Sequence, residues 1–289
     1  MLAFFSGGIR LRCVRLFPGE RPHATGRHLG ASHVALAQDV TPALDFSIGC
    51  VPLRATFHDR ALQRAAAARY QAFHGTQGTP FPIHALDSGA PAEGAAEFSY
   101  EWEQGRLQCC AGGALFTSVR NEYVFDSLLR ILFSWILLPR TGFLLHAATV
   151  VRQGRAYVFT GRSGAGKSTL ASLAPEGSVL TDEISLLRFE EGGWRAYGTP
   201  FWGEFHAGDT NRSAPVAGIF RLVQAPENRV AALRQTELLR ALLPNVLFFS
   251  AQPAAHRRLL EILSRAVEEI PGHDLEFRKD RTVWEVLPA

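Results

Sequence analysis

Nine consecutive residues constrain this chain more than any other stretch: Gly161-Arg162-Ser163-Gly164-Ala165-Gly166-Lys167-Ser168-Thr169. They contain a complete Gly-x4-Gly-Lys-Ser pattern. An apolar run of strand character, Ala156 to Thr160, precedes it, and a helix-compatible run, Lys167 to Leu173, follows. That context separates a phosphate-binding loop from a chance cluster of glycines. Glycines let the backbone wrap closely around a polyphosphate with its N–H groups pointing at the oxygens. Lys167 would reach the terminal phosphates, and the Ser168 hydroxyl would help hold Mg²⁺. The positive end of the following helix adds a further favourable term. Strand, loop and helix in this order commit this part of the chain to an α/β architecture that binds a nucleoside phosphate or something close to it.

Phosphoryl transfer needs a cradle, a metal and a group that orients the attacking oxygen. Asp182-Glu183, at the end of the apolar strand Val179 to Thr181, is the best candidate for the last two roles. Fifteen positions separate Lys167 from Asp182, enough for one helix and one short strand. The helical subdomain and signature sequence of transporter-type ATPases have no room there. His146 follows Phe143-Leu144-Leu145 at the start of the preceding strand. Its position alone suits a hydrogen-bonded core histidine. Beside Asp182, it would instead fix that carboxylate's orientation and tune its basicity.

Charge and cysteine usage narrow the class. The 289 residues carry 30 basic and 27 acidic side chains, a formal charge of +3, too mild and too scattered for a nucleic-acid or membrane surface. Only Lys167 and Lys279 are lysines, so one of two compact ammonium groups stands at the loop. Cys13, Cys50, Cys109 and Cys110 lack metal-ligand spacing and form no secreted disulfide framework. The opening residues lack the order of a signal peptide. The most apolar stretch, Leu128 to Val151, is interrupted by Arg130 and Arg140, and its uninterrupted run is too short to span a bilayer. A reduced cytoplasm is the expected home.

Patterning divides the chain into a smaller N-terminal α+β region, residues 1–120, and a loop-bearing domain, residues 121–289. In the first, residues 17–35 and 74–95 read as loops. Ala43 to Cys50 reads as a strand and Asp59 to Phe73 as a helix. Glu97 to Glu103 and Arg106 to Cys110 read as strands joined at Gln104-Gly105. In the second, helical spacing marks Tyr123 to Leu138. Strands are expected over Leu144 to Arg152, Arg155 to Thr160, Val179 to Thr181, Ile184 to Phe189 and Trp194 to Tyr197, with a hairpin at Gln153-Gly154. Helices at Glu237 to Leu243 and Pro253 to Ile270 close the chain. Hairpin-joined strands around such a loop imply a mixed, largely antiparallel sheet rather than an all-parallel one.

These residues together resemble the catalytic domains of HPr kinase/phosphorylases. There a His-small dipeptide opens a strand, a hairpin follows, then Gly-x-Ser-Gly-x-Gly-Lys-Ser, a helix, and an apolar strand ending in two acidic residues. His146-Ala147, Gly161 to Ser168 and Asp182-Glu183 are the matching positions, and the likeness covers roughly residues 144–190. The resemblance implies a P-loop kinase core related to that of phosphoenolpyruvate carboxykinase, and phosphorylation by Mg-ATP of a serine hydroxyl on a peptide or protein. By motif position it assigns the phosphates to Lys167 and the loop, the metal to Ser168, Glu183 and Asp182, the hydroxyl proton to Asp182, and support of Asp182 to His146.

The departures redirect the expectation. Thr169 replaces an acidic residue, Glu183 replaces a second aspartate, and the glycine-rich second signature of HPr kinases is missing. Tyr197-Gly198-Thr199-Pro200-Phe201-Trp202-Gly203-Glu204-Phe205 stands in its place. This argues against HPr as substrate and against phosphorylase activity. It suits better the divergent HPr-kinase-like proteins of peptide-modification systems, including those that phosphorylate a serine of lasso precursor peptides. Trp202 and Phe205 either line a peptide groove or pack as a surface turn, Glu204 would add charge near the metal, and Arg162 and Arg212 would offset phosphate charge. HPr kinases are hexameric through their catalytic domains. Without the second signature, a homo-oligomer stays an open expectation here. Two further readings remain open: a kinase of a small molecule such as an amino acid or sugar, and an ATP-hydrolysing accessory protein of a peptide-maturation system.

Overall fold

Tight turns and capped helices build the first layer. A computed structural model of the chain describes residues 41–88, 96–110, 112–203 and 210–288. β1 (Ala43–Ile48) and β2 (Val51–Phe57) are joined by Gly49-Cys50, both at positive φ (55° and 59°). That twist suits a two-residue hairpin, so the strand expected to run to Cys50 ends two residues sooner and returns. α1 (Arg60–Arg69) starts where the Asp59 carboxylate accepts the Ala61 and Leu62 N–H groups at 2.5 and 2.9 Å, satisfying donors the helix itself cannot. β3 (Phe81–Ala85), β4 (Phe98–Trp102), β5 (Gly105–Cys110) and β6 (Gly113–Thr117) complete a six-stranded mixed sheet in the order β1-β2-β3-β6-β5-β4.

Two expectations for this region are corrected. The segment 74–95 is not loop throughout: β3 lies at the sheet's centre, parallel to β2 and β6. Pro80 and Pro82 conceal it, because proline within a strand normally marks an edge. The β4–β5 turn falls at Glu103-Gln104, since Trp102 pairs with Gly105.

α2 (Glu122–Ile136) begins at Asn121, whose side-chain oxygen accepts the Val124 N–H at 3.0 Å. Its apolar face joins α1 and the first sheet in one core with Phe46, Phe57, Tyr70 and Phe116, and that core also takes in Leu144, Ile184, Leu186 and Phe201.

The second sheet centres on the hairpin of β7 (Gly142–Arg152) and β8 (Arg155–Thr160). Gln153 and Gly154 both have positive φ, as its two-residue turn requires. After β8 come α3 (Lys167–Leu173), β9 (Val179–Thr181), β10 (Ile184–Glu190) and β11 (Gly193–Tyr197). No strand is expected from the pattern beyond Tyr197. The structure nevertheless adds β12 (Ser213–Gln224), β13 (Arg229–Ala232), β14 (Val246–Leu247) and β15 (Gly272–Phe277). Pro215 and Gly218 disguise β12, whose register shifts between Val216 and Gly218. α4 (Gln235–Leu242), α5 (Pro253–Glu269) and the short α6 (Val283–Val286) complete the six described helices.

Nine described strands make this sheet, in the order β11-β10-β7-β8-β12-β15-β13 with β9 and β14 paired to β7. β8, β12 and β15 run parallel and the other pairs antiparallel, in line with the mixed sheet expected. β11 also pairs β12, so β7, β8, β12, β11 and β10 close into a ring. α4 and α5 cover one set of apolar side chains, and α3 and α6 pack with another that includes Phe159, Phe220 and Phe277. Among the described residues no helix is long and apolar enough to cross a membrane.

Candidate functional site

The glycine-rich loop spans the gap from the end of β8 to the start of α3. Gly166 caps α3 with φ 109°, and a Cβ there would sit 3.2 Å from the Phe277 ring. Both the left-handed backbone and the close approach call for glycine. Gln224, at the end of β12, donates its amide to the Gly164 carbonyl at 2.6 Å and ties the loop to that strand. Lys167 is 7 % exposed. Its ammonium donates to the Gly161 and Arg162 carbonyls at 2.9 and 3.3 Å, folded back under the loop. Burial lowers the Lys167 pKa, and the nearby Glu183 carboxylate works against that shift. Ser168 is exposed and Thr169 half-buried.

The break between β9 and β10 places the acidic pair. Thr181 and Thr199 hydroxyls both donate to the Ile184 carbonyl, at 3.1 and 2.6 Å, and Ala147 N–H donates to the Glu183 carbonyl at 2.9 Å. Asp182 and Glu183 are thereby held beside the middle of β7, where His146 pairs with Ile184. His146 is therefore interior to its strand rather than at its start. Asp182 is 3 % exposed, and its Oδ1 accepts the Gly203 N–H at 3.0 Å. A Cβ on Gly203 would lie 3.3 Å from the Glu183 side chain, so this glycine lets the 199–203 segment lie directly over the pair. His146 makes no hydrogen bond to Asp182; the two share a neighbourhood but not a contact of the kind expected.

Arg130, which the sequence shows only as a charge interrupting an apolar helix, enters this neighbourhood. Its Nη1 lies 3.7 Å from Glu183 Oε2, and its Nε donates to the buried Asp126 at 2.8 Å. Asp126 also accepts from Tyr70 OH at 2.9 Å and Arg69 Nε at 3.1 Å. Arg69 in turn lies over the Trp202 ring, 4.5 Å from its centroid. Residues from α1, α2 and the 199–203 segment thus converge on the acidic pair. The i, i+4 spacing of Asp126 and Arg130 is the one sequence signal that could have flagged them.

The charges perturb one another. Burial raises the Glu183 pKa; Arg130 opposes that shift, and Asp182 and Asp126 add to it. Burial, then the Lys167 and Arg130 charges, push the His146 imidazole from its ordinary 6.5 down to about 4. The unfolded chain then takes up this proton near pH 6.5 while the folded chain resists it until about pH 4. His146 should therefore cost stability progressively as pH falls through that window, and nothing above it. Unfolding of wild type and His146→Gln across pH 4–7 tests this, and parallel pH dependence in the two would refute it.

Other expected residues fall as follows. Arg162 is exposed on the loop. Arg212 is engaged elsewhere, donating to the Gly177 carbonyl at 2.5 Å and Thr210 Oγ1 at 3.0 Å. Glu204, Phe205, Cys13 and the loops at 17–35 lie outside the described residues. Lys279 is brought to the loop by the fold: its Cε would be 3.9 Å from a Cβ on Gly166, so the chain's two lysines flank one glycine. Among the described residues no cluster of three or more His, Cys, Asp or Glu could hold a metal. A pair of adjacent carboxylates suits an ion completed by phosphate oxygens and water, the habit of Mg²⁺, and not an all-protein cage.

A family model described as ScmC, SynChlorMet cassette protein ScmC, matches residues 125–245, a span that includes Arg130, the loop and the acidic pair. Among solved structures, the HPr(Ser) kinase/phosphatase from Coxiella burnetii is similar at 17% identity and a TM-score of 0.25, covering 43% of this chain and 90% of that one. No curated protein matches the chain.

Proposed function

We propose that the chain is a Mg-ATP-dependent kinase that phosphorylates a serine hydroxyl of a peptide or protein. The observation that carries this reading is the meeting of Lys167, Asp182 and Glu183 in one buried neighbourhood below a glycine-rich loop. Lys167 would exchange its two carbonyl partners for phosphate oxygens. Ser168, Glu183 and Asp182 would hold Mg²⁺, which when bound supplies charge neutralisation on the phosphates. Asp182, with Oδ1 held by Gly203, would take the proton of the attacking hydroxyl as ADP leaves. Arg130 would keep Glu183 charged despite its burial.

The cover over Asp182 bears on the acceptor. At 3 % exposure and with Gly203 bonded to it, this carboxylate is covered by the 199–203 segment, which favours either an acceptor that displaces the segment or a water alone. The second case is the ATP-hydrolysing accessory reading. Purified protein with labelled ATP and a panel of serine-containing peptides separates them: the kinase reading expects a phosphoserine product. ADP and free phosphate with every acceptor would replace it by the hydrolytic one.

A further inference from the structure

A cleft of about 490 Å³ opens beside the loop, and its lining excludes Lys167, His146 and the acidic pair. Its walls are the first half of the loop (Gly161 to Ala165), the end of β12, and α4 with the turn that follows. We propose that this cleft is the subsite for the nucleoside of the bound nucleotide, its base against Leu222, Val223 and Ala241 and its cationic rim formed by Arg162 and Arg240. The inference rests on the kinase reading of the loop and names what that reading leaves unassigned.

Four observations carry it. The loop itself is one wall, so a ligand with its phosphates on the loop has this volume beside it for the remainder. The volume lies in the range of small-molecule sites, about 300–1,000 Å³. The lining is apolar where a flat base needs cover: Leu222, Val223, Ala241 and Pro244 contribute to it, and Val223 is 41 % exposed. Finally, the side chains of Arg162 and Arg240 have no hydrogen-bond or ion-pair partner among the described residues. Arg221, also in the lining, is already paired with Asp274 through two hydrogen bonds of 2.6 and 2.7 Å. A free guanidinium plane stacks on a heteroaromatic ring. The Gln224–Gly164 hydrogen bond makes the strand wall and the loop wall one unit, so the cleft is built before a ligand arrives.

Calorimetric titration with Mg-ATP and with inorganic tripolyphosphate, which carries the phosphates but no base, tests the assignment. The variants are Arg240→Ala, at an exposed position, and Ala241→Phe, which fills the cleft. Both should weaken ATP binding by about tenfold or more and leave tripolyphosphate affinity unchanged. If Ala241→Phe does not fold, Arg240→Ala decides alone. Unchanged ATP affinity, or an equal loss for both ligands, overturns the subsite. Failure of the wild-type protein to bind either ligand overturns the kinase reading as well, and the tripolyphosphate titration tells the two failures apart.

Discussion

Asp182→Asn is expected to leave ATP held on the loop by Lys167 and to cut phosphoryl transfer by about 10²–10⁴-fold, the usual worth of a positioned general base. Asparagine has nearly the same shape, and its side-chain oxygen still accepts the Gly203 N–H that Asp182 Oδ1 accepts at 3.0 Å. The segment over the site therefore stays in place while the proton acceptor is lost. Lys167→Ala should act at the other step: without the ammonium now held by the Gly161 and Arg162 carbonyls, nucleotide affinity itself should fall. Labelled-ATP transfer assays with calorimetric titration resolve the two. Full turnover in Asp182→Asn would remove the base assignment, and undiminished ATP affinity in Lys167→Ala would remove the phosphate contact.

The largest expected effect on stability lies at Asp126. Its side chain is 5 % exposed and faces Arg69 and Arg130 at 11 % and 21 %, with Tyr70 OH as a third donor. Asp126→Ala leaves two largely buried guanidinium groups and a buried hydroxyl without their acceptor. Breaking a buried ion pair from one side costs about 3–5 kcal/mol. Asp45→Ala is the control, because its partner Arg54 is 55 % exposed and such surface pairs contribute at most about 1 kcal/mol. Urea unfolding of both variants tests the contrast, and a loss at Asp126 no larger than at Asp45 would mean the network does not hold α1 to α2. Because Arg130 also reaches Glu183, the same substitution should loosen the acidic pair.

Elements whose signals are local were legible in the sequence. The Gln153-Gly154 hairpin, the helix starts near Asp59 and Tyr123, and the strand ending at Asp182 each depend on residues within a few positions of one another. β3 and β12 were not legible, because Pro80, Pro82, Pro215 and Gly218 speak against strands locally, and pairing on both edges outweighs them. His146 shows the limit of placement by motif. It comes beside the acidic pair through the register of β7 and β10, yet its pKa is set by burial and two cations, and Asp182 takes its hydrogen bond from Gly203.

By itself the sequence determined that a strand, a glycine-rich loop with Lys167, a short helix and an acidic strand end follow one another, since those choices rest on glycine conformation, capping and hydrophobic period. Only the tertiary structure decided what surrounds them. Arg130 stands by Glu183 because α2 packs against β7, Lys279 stands by Gly166 because β15 ends beneath the loop, and the cleft exists because α4 is set across the end of β12. Arg130 and Glu183 are 53 positions apart, and Gly166 and Lys279 113. Contacts at such separation arise from burying apolar faces, and no local pattern encodes which charges that burial brings together.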